Sequence, residues 1–438
     1  MSKTFSIISL GCFRNTYDSE LIADEFIKKG YVLDKEAEKL ETIIINTCAF
    51  INSAKEESIG AIKDALELKR KGRIKKVLVR GCLVTRYQQE LSTSFPGVDG
   101  WEGVLSFSCF FNFGGRKKDR VSHVEFLKIS EGCSNRCSYC AIPLIKGPLK
   151  SKHEDAVLKE VEFLDRKGVK ELNIIGQDIT AWGKDIYAGK DLVFILKKIL
   201  RRAKNIRWFR LLYTHPKNFT DSLIDLISRE KRLCKYIDLP IQHVNDRILK
   251  LMNRGITRRE MVNLIKKVRK KIPGSFIRTS VIVGFPSETE EEFTELLEFV
   301  REIKFERLGV FIYSREDRTP AYGFPSQIHH KTKERRYREL MEVQKEISLE
   351  VNKRFLGKQV EVLLDEKQSD MYIGRTQFSC YDIDGIVYLP CGMRAQGVSL
   401  TKSQSRLRKT TPKLKDLKVG KFYKTTIIDA YEYDLVGV

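Results

Sequence analysis

The chain of 438 residues lacks the features that would place it in a membrane or in a secretory pathway. No stretch approaches the run of about 18–20 apolar residues that a membrane-spanning helix needs. The first residues, MSKTFSIISLGCFRN, carry only a short apolar run and no cleavage-site pattern, unlike a signal peptide. Ten cysteines are too few for a disulfide scaffold of this length. We therefore expect a cytoplasmic protein with no membrane partner.

Acidic residues are also fewer than basic ones. The chain has 80 Lys and Arg against 58 Asp and Glu, a formal net charge of +22. This excess favours an anionic partner, with nucleic acid as the first candidate, although a generally basic proteome would produce the same number. Hydrophobic residues at 42% and charged residues at 32% are an ordinary globular balance, which argues against disorder. The length fits two or three domains.

Three of the cysteines stand close together in the segment EGCSNRCSYC. Cys133, Cys137 and Cys140 form a C-x3-C-x2-C pattern after the apolar run FLKIS. Thiolates at such spacing bind soft metals, either zinc or iron–sulfur clusters, and the tight spacing disfavours three unrelated core cysteines. Structural zinc normally takes four ligands, and no histidine or fourth cysteine lies nearby. Three ligands to a cluster of four irons would leave one iron open.

Three earlier cysteines share another context, because each ends a β-branched apolar run. SIISLGC ends at Cys12, TIIINTC at Cys48 and KVLVRGC at Cys82, and a helix-like segment follows each run. Such runs are typical of buried parallel strands, whose carboxyl ends meet at the sheet edge where ligands bind. Taken singly, each cysteine is better explained as a small buried hydrophobe. The threefold repetition favours a second three-thiolate cluster.

Strand and helix patterns alternate through most of the chain. In the N-terminal part, residues 18–30 and 53–72 have helical periodicity, with Asp18 as the candidate N-cap of the first helix. From about residue 124, six strand–helix units predict a barrel-like or open parallel sheet, with the C-x3-C-x2-C motif after its first strand. A long charged helix is predicted over 331–357, and short strands after it predict a small antiparallel barrel.

Several segments have less definite interpretations. Residues 103–120 are interpreted as a linker. The stretch from Lys402 to Lys424, with nine bases and one acid, indicates either a nucleic-acid or ribosome contact or a solvated loop. Acids of the terminal barrel are hypothesised to face a basic substrate, namely Asp382, Asp384, Asp429, Glu432 and Asp434. The four remaining cysteines receive no role: Cys109, Cys234, Cys380 and Cys391.

The chain resembles the radical S-adenosylmethionine methylthiotransferases through motifs that span almost its whole length. These motifs are LGCFRNTYDSE, NTCAFINSAKEES, GCLVTRY, EGCSNRCSYCAIPLIKGPLKSK, GQDIT, PIQHVNDRILKLMNRG, GFPSETEEEF and YSREDRTPAY. The resemblance implies an α/β fold in three parts: an N-terminal open parallel cluster domain (1–118), a central radical core with a partial (β/α) barrel (124–353) and an antiparallel TRAM β-barrel (355–438). Two positions depart from the family pattern, with Lys146 in place of arginine and Ser287 in place of glycine.

The resemblance also implies the cofactors. These are S-adenosyl-L-methionine and two 4Fe-4S clusters, each with three cysteine ligands. Cys133, Cys137 and Cys140 would hold the cluster whose open iron binds S-adenosylmethionine, and the cluster on Cys12, Cys48 and Cys82 would offer its open iron to a sulfur species. Together they would supply the radical that an unactivated C–H bond requires.

The wording around the second and third cysteines is similar to the branch of the family that acts on a protein. That branch methylthiolates the β-carbon of an aspartate in small-subunit ribosomal protein S-twelve. The implied partners are this protein, on or near the small ribosomal subunit, an electron donor, and RNA contacted through the TRAM domain. A tRNA methylthiotransferase with the same two-cluster machinery is the alternative, and a non-catalytic iron–sulfur RNA-binding module is a third hypothesis.

No catalytic residue is assigned beyond the cluster ligands. Candidate cofactor contacts, each weighed against an ordinary packing or turn role, are Tyr139, Gly176, Gln177, Asp178 and Gly284. His215 and His243 end strand-like segments, and for each we favour an ordinary hydrogen-bonded role over a role in the site.

Overall fold

The computed structural model describes residues 3–34, 39–105, 122–369, 371–390 and 417–438. Cys109, Cys391, most of the linker and the basic stretch up to residue 416 lie outside these ranges. None of the helices within them is both long and apolar enough to cross a bilayer.

The N-terminal part is one parallel sheet with helices between its strands. Its elements are β1 (Lys3–Ser9), α1 (Phe13–Lys28), β2 (Tyr31–Leu33), β3 (Leu40–Thr47), α2 (Asn52–Arg70), β4 (Ile74–Gly81), α3 (Cys82–Ser94) and β5 (Gly100–Glu102). The strand order is β2-β1-β3-β4-β5, so the three strands that end near cysteines are direct neighbours. Their β-branched side chains are fully buried, as in Ile44, Ile45 and Val77. The predicted open parallel sheet is confirmed.

The first helix begins earlier than predicted. α1 starts at Phe13, with Cys12 at its N-cap in extended backbone and without a side-chain capping bond. Asp18, the predicted N-cap, is instead a buried residue of the second helical turn. Its carboxylate pairs with Lys128 and Lys146, both more than 100 positions away in sequence. The N-cap prediction was wrong because a cap and a buried ion-pair partner use the same residue type.

The central part is an incomplete barrel of six parallel strands. Its strands are β6 (Val124–Lys128), β9 (Glu171–Ile175), β10 (Trp208–Leu211), β11 (Tyr236–Asp238), β12 (Phe276–Val283) and β13 (Arg307–Ile312). They form two parallel sheets, β10-β9-β6 and β11-β12-β13, and a bridge between Phe209 and Leu233 joins the two at their shared edge. The predicted barrel-like arrangement is thereby confirmed.

Helices and one short antiparallel pair complete this central part. The short pair is β7 (Ser130–Glu131) with β8 (Lys150–Ser151), on either side of the C-x3-C-x2-C loop. The helices are α4 (Ile142–Lys146), α5 (Glu154–Arg166), α6 (Leu192–Arg202), α7 (Asp221–Arg229), α8 (Asp246–Leu251), α9 (Arg258–Lys271), α10 (Glu290–Ile303) and α11 (His330–Lys353). The apolar faces of the longer helices join the barrel strands in one large core.

The C-terminal part is a closed five-stranded barrel. It consists of β14 (Gln359–Gln368), β15 (Met371–Arg375), β16 (Val387–Pro390), β17 (Phe422–Ala430) and β18 (Leu435–Gly437). All neighbours pair antiparallel except β16 and β18, which pair parallel. Closure leaves no free strand edge, which suits a barrel of so few residues.

Buried charges tie this barrel to the central part. Arg375 pairs with Asp365 of the barrel at 2.6 Å and with Glu171 of β9 at 2.8 Å, and Arg210 of β10 pairs with Glu171 at 2.9 Å. Three of these side chains are almost wholly buried. Removing one member would strand the others in a low-dielectric interior, so this contact fixes the barrel against the core.

The hypothesised row of substrate-facing acids does not form as predicted. Asp384 is buried against the central part, where it accepts a 2.7 Å hydrogen bond from the Tyr236 hydroxyl. Asp434 accepts from the Ile386 backbone at 2.9 Å, and Asp429 accepts from the Ala430 backbone at 2.9 Å. These carboxylates organise loops and contacts within the chain, so the hypothesis was wrong for Asp384.

Candidate active site between two cysteine triads

The three N-terminal cysteines meet at one edge of the first sheet. Cys48 and Cys82 directly follow β3 and β4, and Cys12 lies three residues beyond β1. Gly11 makes this approach close: a Cβ on its left-handed backbone (φ +85°) would lie 2.7 Å from the Cys48 sulfur. The Ser58 hydroxyl holds the Cys48 backbone at both ends, accepting from its N–H at 3.0 Å and donating to its carbonyl at 2.9 Å. We name Cys12, Cys48 and Cys82 the sheet triad.

The other three cysteines are placed by a single loop between β7 and β8. Gly132 has a left-handed backbone (φ +71°) packed against the Pro148 carbonyl, where no side chain would fit. The Cys133 N–H donates to the Gly147 carbonyl at 3.1 Å, and the Cys140 N–H donates to the Cys137 carbonyl at 3.1 Å. We name Cys133, Cys137 and Cys140 the loop triad.

The loop triad is also held from the segment after α8. Ser138 donates from its N–H to the Met252 carbonyl at 3.1 Å and from its hydroxyl to the Leu251 carbonyl at 2.7 Å. Arg254 lies 3.5 Å from the Cys137 sulfur and donates to the Pro240 carbonyl at 2.7 Å. These bonds bring a distant segment of the chain against the cysteine loop.

One cavity of about 400 Å³ reaches both triads. Cys12 lines it from the sheet side, whereas Cys48 and Cys82 lie outside its lining, and all three cysteines of the loop triad line it from the core side. The cavity opens at the carboxyl ends of the central strands, where parallel α/β folds place their sites. Four large apolar side chains that line it remain over a third exposed: Phe50, Phe311, Ile312 and Ile383.

Three of the five predicted cofactor contacts line this cavity. Tyr139, Gln177 and Asp178 do so, and Asp178 accepts hydrogen bonds from Asn135 at 2.8 Å and from Asn218 at 3.3 Å. Gly176 lies outside the lining, packed against Ser130.

Gly284 lies outside the lining as well, and a Cβ on its left-handed backbone (φ +72°) would lie only 2.3 Å from the Lys333 side chain. Its N–H donates to Glu288, which also accepts from the Phe285 N–H at 3.0 Å. The assignments of Gly176 and Gly284 as cofactor contacts stay predictions.

The two histidines differ in placement. His215 lines the cavity, and its Nδ1 accepts from the Lys217 N–H at 3.3 Å. His243 is fully buried outside the lining and accepts from the Asn245 N–H at 3.0 Å. Both bonds fit the ordinary hydrogen-bonded roles that the sequence favours.

The sequence reasoning missed the charged residues of the cavity. Arg14, Asp238, Arg254, Arg278 and Glu316 all line it. Arg14 has a weak sequence signal, since it lies two residues after Cys12, and Asp238 ends a predicted strand. Arg254 and Glu316 lie in loops far from either cysteine motif, so only tertiary structure brings them there.

A buried network of four charged side chains connects the elements that flank the two triads. Lys128 of β6 pairs with Asp18 of α1 at 2.7 Å and also with Glu131, and Lys146 of α4 pairs with Asp18 at 2.9 Å. Each of the four side chains is less than a tenth exposed. Gln177 closes the network by donating to Glu131 at 2.6 Å. The network therefore links the helix after Cys12 to the strand before Cys133.

The two departures from the family pattern have local explanations. Lys146 keeps its positive charge and pairs with Asp18 in the buried network. Ser287 has a left-handed backbone (φ +65°), the conformation that glycine adopts most readily. Arg247 donates to both the hydroxyl and the carbonyl of Ser287, at 3.0 and 2.7 Å, which supports this conformation.

The pKa values of the cysteine thiols differ from one position to another, even within one triad. Burial acts to raise the pKa of Cys12, but the Arg14 guanidinium and the backbone N–H groups of Arg14 and Asn15 together outweigh it, so the pKa lies below its ordinary value. Burial raises the pKa of Cys82 and of Cys140 to about 12, with neighbouring cysteines adding to the rise. Burial acts to raise the pKa of Glu131, but Lys128 and Lys146 hold it well below its usual range.

Both triads offer only thiols as donor groups. Within the described ranges, no group of three Cys, His, Asp or Glu side chains is arranged to hold a single metal ion. In an iron–sulfur cluster each protein thiolate binds a different iron, so the three sulfurs stand further apart than around a single ion. All-thiol donor sets beside a shared cavity suit such a cluster.

Family models match three successive parts of the chain. The Radical SAM superfamily matches residues 127–300, the Uncharacterized protein family UPF0004 matches residues 4–103 and the TRAM domain matches residues 356–438. Among solved structures, the radical S-adenosylmethionine methyltransferase TsrM from Kitasatospora setae is similar with a TM-score of 0.54 and 14% identity. That match covers 73% of this chain and 74% of TsrM, which supports a shared fold.

Curated relatives match at higher identity and almost full length. The protein named "Ribosomal protein uS12 methylthiotransferase RimO" from Clostridioides difficile (strain 630) is 40% identical, covering 98% of this chain and 97% of the relative. The protein of the same name from Thermoanaerobacter sp. (strain X514) is 40% identical over 99% of both chains. That of Chlorobium phaeovibrioides is 42% identical over 86% of this chain and 89% of its own length.

Proposed function

Because the chain belongs to the RimO family of ribosomal protein uS12 methylthiotransferases, we propose that it methylthiolates the β-carbon of an aspartate in ribosomal protein S-twelve. The observation that carries the proposal is the cavity that reaches both the sheet triad and the loop triad. Such a cavity lets one substrate carbon be reached from both triads. We assign residues 1–118, 124–353 and 355–438 to the cluster domain, the radical core and the TRAM domain.

Each triad would hold one 4Fe-4S cluster, and the loop triad's cluster would bind S-adenosylmethionine at its open iron. When bound, these groups supply the radical that removes a β-hydrogen, the sulfur that replaces it and the methyl group on that sulfur, with electrons from an external donor. The chain's own groups position them. Tyr139, Gln177 and Asp178 line the space beside the loop triad and are the proposed cofactor contacts.

The cavity mouth favours a protein substrate. Phe50, Phe311, Ile312 and Ile383 are between 38 and 46% exposed there, so they form a cluster of exposed large apolar side chains. Exposed apolar patches of this kind mark sites of protein binding, whereas a nucleic-acid surface is mainly basic. Ile383 lies between β15 and β16, so the terminal barrel contributes to the mouth. The barrel is also the proposed contact with ribosomal RNA, which would place the reaction at the ribosome in the cytoplasm.

The proposal is tested with anaerobically reconstituted protein, S-adenosylmethionine and a reductant. Ribosomal protein S-twelve, free and within small subunits, and bulk tRNA are supplied in parallel reactions. Mass spectrometry should find one methylthio group on an aspartate of the ribosomal protein and none on tRNA nucleosides. Protein with Cys133→Ala, which lacks one ligand of the loop triad, is the matched inactive control. Modification of tRNA without modification of the ribosomal protein would contradict the proposal.

A further inference from the structure

Arg14 lines the cavity without a carboxylate partner among the residues that the structure describes. Arg14 lines the cavity and is half-buried, and its Nε donates to the Cys12 sulfur at 3.4 Å. Its guanidinium lies over the ring of Tyr213, 4.5 Å from the ring centre. Among the residues that the structure describes, no carboxylate or carbonyl accepts from its two Nη groups. Arg14 therefore presents two donors of a charged group to the cavity.

The other cations of the cavity are already engaged. Arg278 pairs with Asp238 at 3.0 Å and lies 3.8 Å from Asp384. Arg254 donates to the Pro240 carbonyl and contacts the Cys137 sulfur. Arg254 has no carboxylate partner either, but both of its Nη groups are engaged by these contacts and only its Nε is left without a partner. An anion would have to displace the existing partners to bind the Nη groups of Arg254 or Arg278, whereas no hydrogen bond occupies those of Arg14 among the described residues.

The orientation of Arg14 is fixed by its surroundings. Tyr213 has a left-handed backbone (φ +62°), and its N–H donates to Asp238 at 2.6 Å. A non-glycine residue in this conformation persists only where the surrounding structure holds it, as Asp238 does here. The Tyr213 ring then supports one face of the guanidinium, and the bond to Cys12 uses Nε and leaves the two Nη groups available on a residue that lines the cavity. A preorganised fork loses little entropy when it binds a planar anion.

We propose that Arg14 binds the side-chain carboxylate of the substrate aspartate through its two Nη groups, an inference that rests on the proposed function. In aspartate the carboxylate is attached directly to the β-carbon, which must lie between the sheet triad and the loop triad. Arg14 contacts Cys12 of the sheet triad and faces the cavity that the loop triad lines. A carboxylate on its fork would hold the β-carbon within reach of both triads. Bidentate pairing with arginine is the strongest common recognition of a carboxylate.

The same contact would select the substrate. A neutral side chain such as asparagine cannot replace the carboxylate without leaving the Arg14 charge unpaired in a half-buried site. We therefore expect wild-type protein to discriminate strongly between a loop peptide with aspartate and the same peptide with asparagine.

The test measures binding of ribosomal protein S-twelve to the reconstituted protein by fluorescence anisotropy, together with modification kinetics. Arg14→Gln should weaken binding and lower kcat/KM by about tenfold to a hundredfold, as expected for a charge-assisted bidentate bond. Arg14→Lys keeps the positive charge but loses the bidentate geometry. Its affinity and kcat/KM should therefore lie between those of wild-type protein and Arg14→Gln. Lys28→Gln removes a positive charge from the exposed far end of the same helix and should bind as wild type. Circular dichroism melting and iron content verify that each variant is folded and loaded.

The decisive readout is the ratio of affinities for the aspartate and asparagine peptides. Arg14→Gln should reduce this ratio to near one, a change that a merely structural defect would not produce. An unchanged ratio in a folded, iron-loaded variant would overturn the inference. A loss of S-adenosylmethionine affinity with an unchanged ratio would also overturn it, since Arg14 would then serve the carboxylate of that cofactor. If wild-type protein does not modify the ribosomal protein at all, the proposed function fails, a result separate from the Arg14 measurements.

Discussion

Each triad brings three thiols together, but the two triads do so by opposite means. The loop triad lies within eight residues of one loop, and hydrogen bonds inside that loop set its shape, while bonds from Ser138 to the Leu251 and Met252 carbonyls anchor it. The sheet triad spans 71 residues, from Cys12 to Cys82, and exists only because β1, β3 and β4 are neighbours in one sheet. The loop triad is therefore a local structure, whereas the sheet triad depends on the whole N-terminal fold. We therefore expect equivalent cysteine substitutions in the two triads to have different consequences for the activity.

The largest effect should come from removing one triad at a time. Replacing Cys133, Cys137 and Cys140 with Ala should abolish reductive cleavage of S-adenosylmethionine and leave about half of the iron, because a cluster needs its thiolates. Replacing Cys12, Cys48 and Cys82 should also leave about half of the iron but retain cleavage to deoxyadenosine, while methylthiolation is lost. Iron analysis and chromatography of the nucleoside products measure both.

The second triple variant is the sharper test of the comparison. If it retains all of the iron, the sheet triad does not hold a cluster. If it loses cleavage as well, the two triads do not act as separate sites. Circular dichroism of both variants shows whether the sheet itself has survived the substitutions.

A smaller effect should follow from breaking the buried network between the triads. Asp18→Asn removes the carboxylate that pairs with both Lys128 and Lys146, which leaves two buried ammonium groups undercompensated. Loss of one partner from a buried ion pair costs about 3–5 kcal/mol, which chemical denaturation should detect. Because the network joins α1 to β6, deoxyadenosine formed per methylthiolated product should also rise.

The matched control for Asp18 is an exposed pair in the same part of the chain. Glu67 pairs with Lys71 on α2, and both side chains are more than half exposed. Glu67→Gln should leave the unfolding midpoint and the product ratio unchanged, since solvent screens exposed pairs. Equal effects of the two substitutions would mean that the Asp18 network does not couple the triads.

The smallest effect is a pH dependence of stability that arises from His215, on the side of the cavity formed by the central barrel. Burial, with Arg254, Lys217 and Lys184 adding to it, lowers the pKa of His215 to about 3. The unfolded chain, with a histidine pKa of about 6.5, binds a proton that the folded protein excludes between these two values. The stability that depends on neutral His215 is therefore complete above about pH 6.5 and falls as the pH decreases towards 3.

His215→Gln should remove this acid sensitivity. Between pH 7 and pH 5 the wild-type protein should lose about 2 kcal/mol more unfolding free energy than the variant, from linkage at this one group. Denaturation with guanidinium at both pH values measures the difference. Residues 1–105 contain no histidine, so the N-terminal sheet contributes nothing of this kind. Parallel slopes for the two proteins would mean that His215 titrates normally.

Local signals in the sequence located both triads and most elements of the fold. The loop triad could be predicted because its three cysteines lie in one motif, and the sheet triad because each cysteine ends a β-branched run. Position within an element was harder. Asp18 matched a helix cap but lies inside α1, since a buried ion pair and a cap both use aspartate.

The cavity itself was decided by tertiary structure. Arg14, Arg254 and Glu316 are far apart in the sequence. They line the same cavity only because the N-terminal sheet, the central barrel and their loops pack together. Asp384 shows the converse, because a carboxylate predicted to face the substrate is buried against Tyr236.

The sequence by itself determined which chemistry the chain can hold, because the number and spacing of thiols and the periodicity of apolar runs are local properties. It also determined that the sheet is parallel and that cysteines end three of its strands. Only the tertiary structure decided that one cavity reaches both triads and that Arg14, which has no carboxylate partner in the described part of the chain, lines it beside Cys12. Those relations depend on contacts between residues far apart in the chain, and side-chain packing and buried charge pairing select them where no local pattern can.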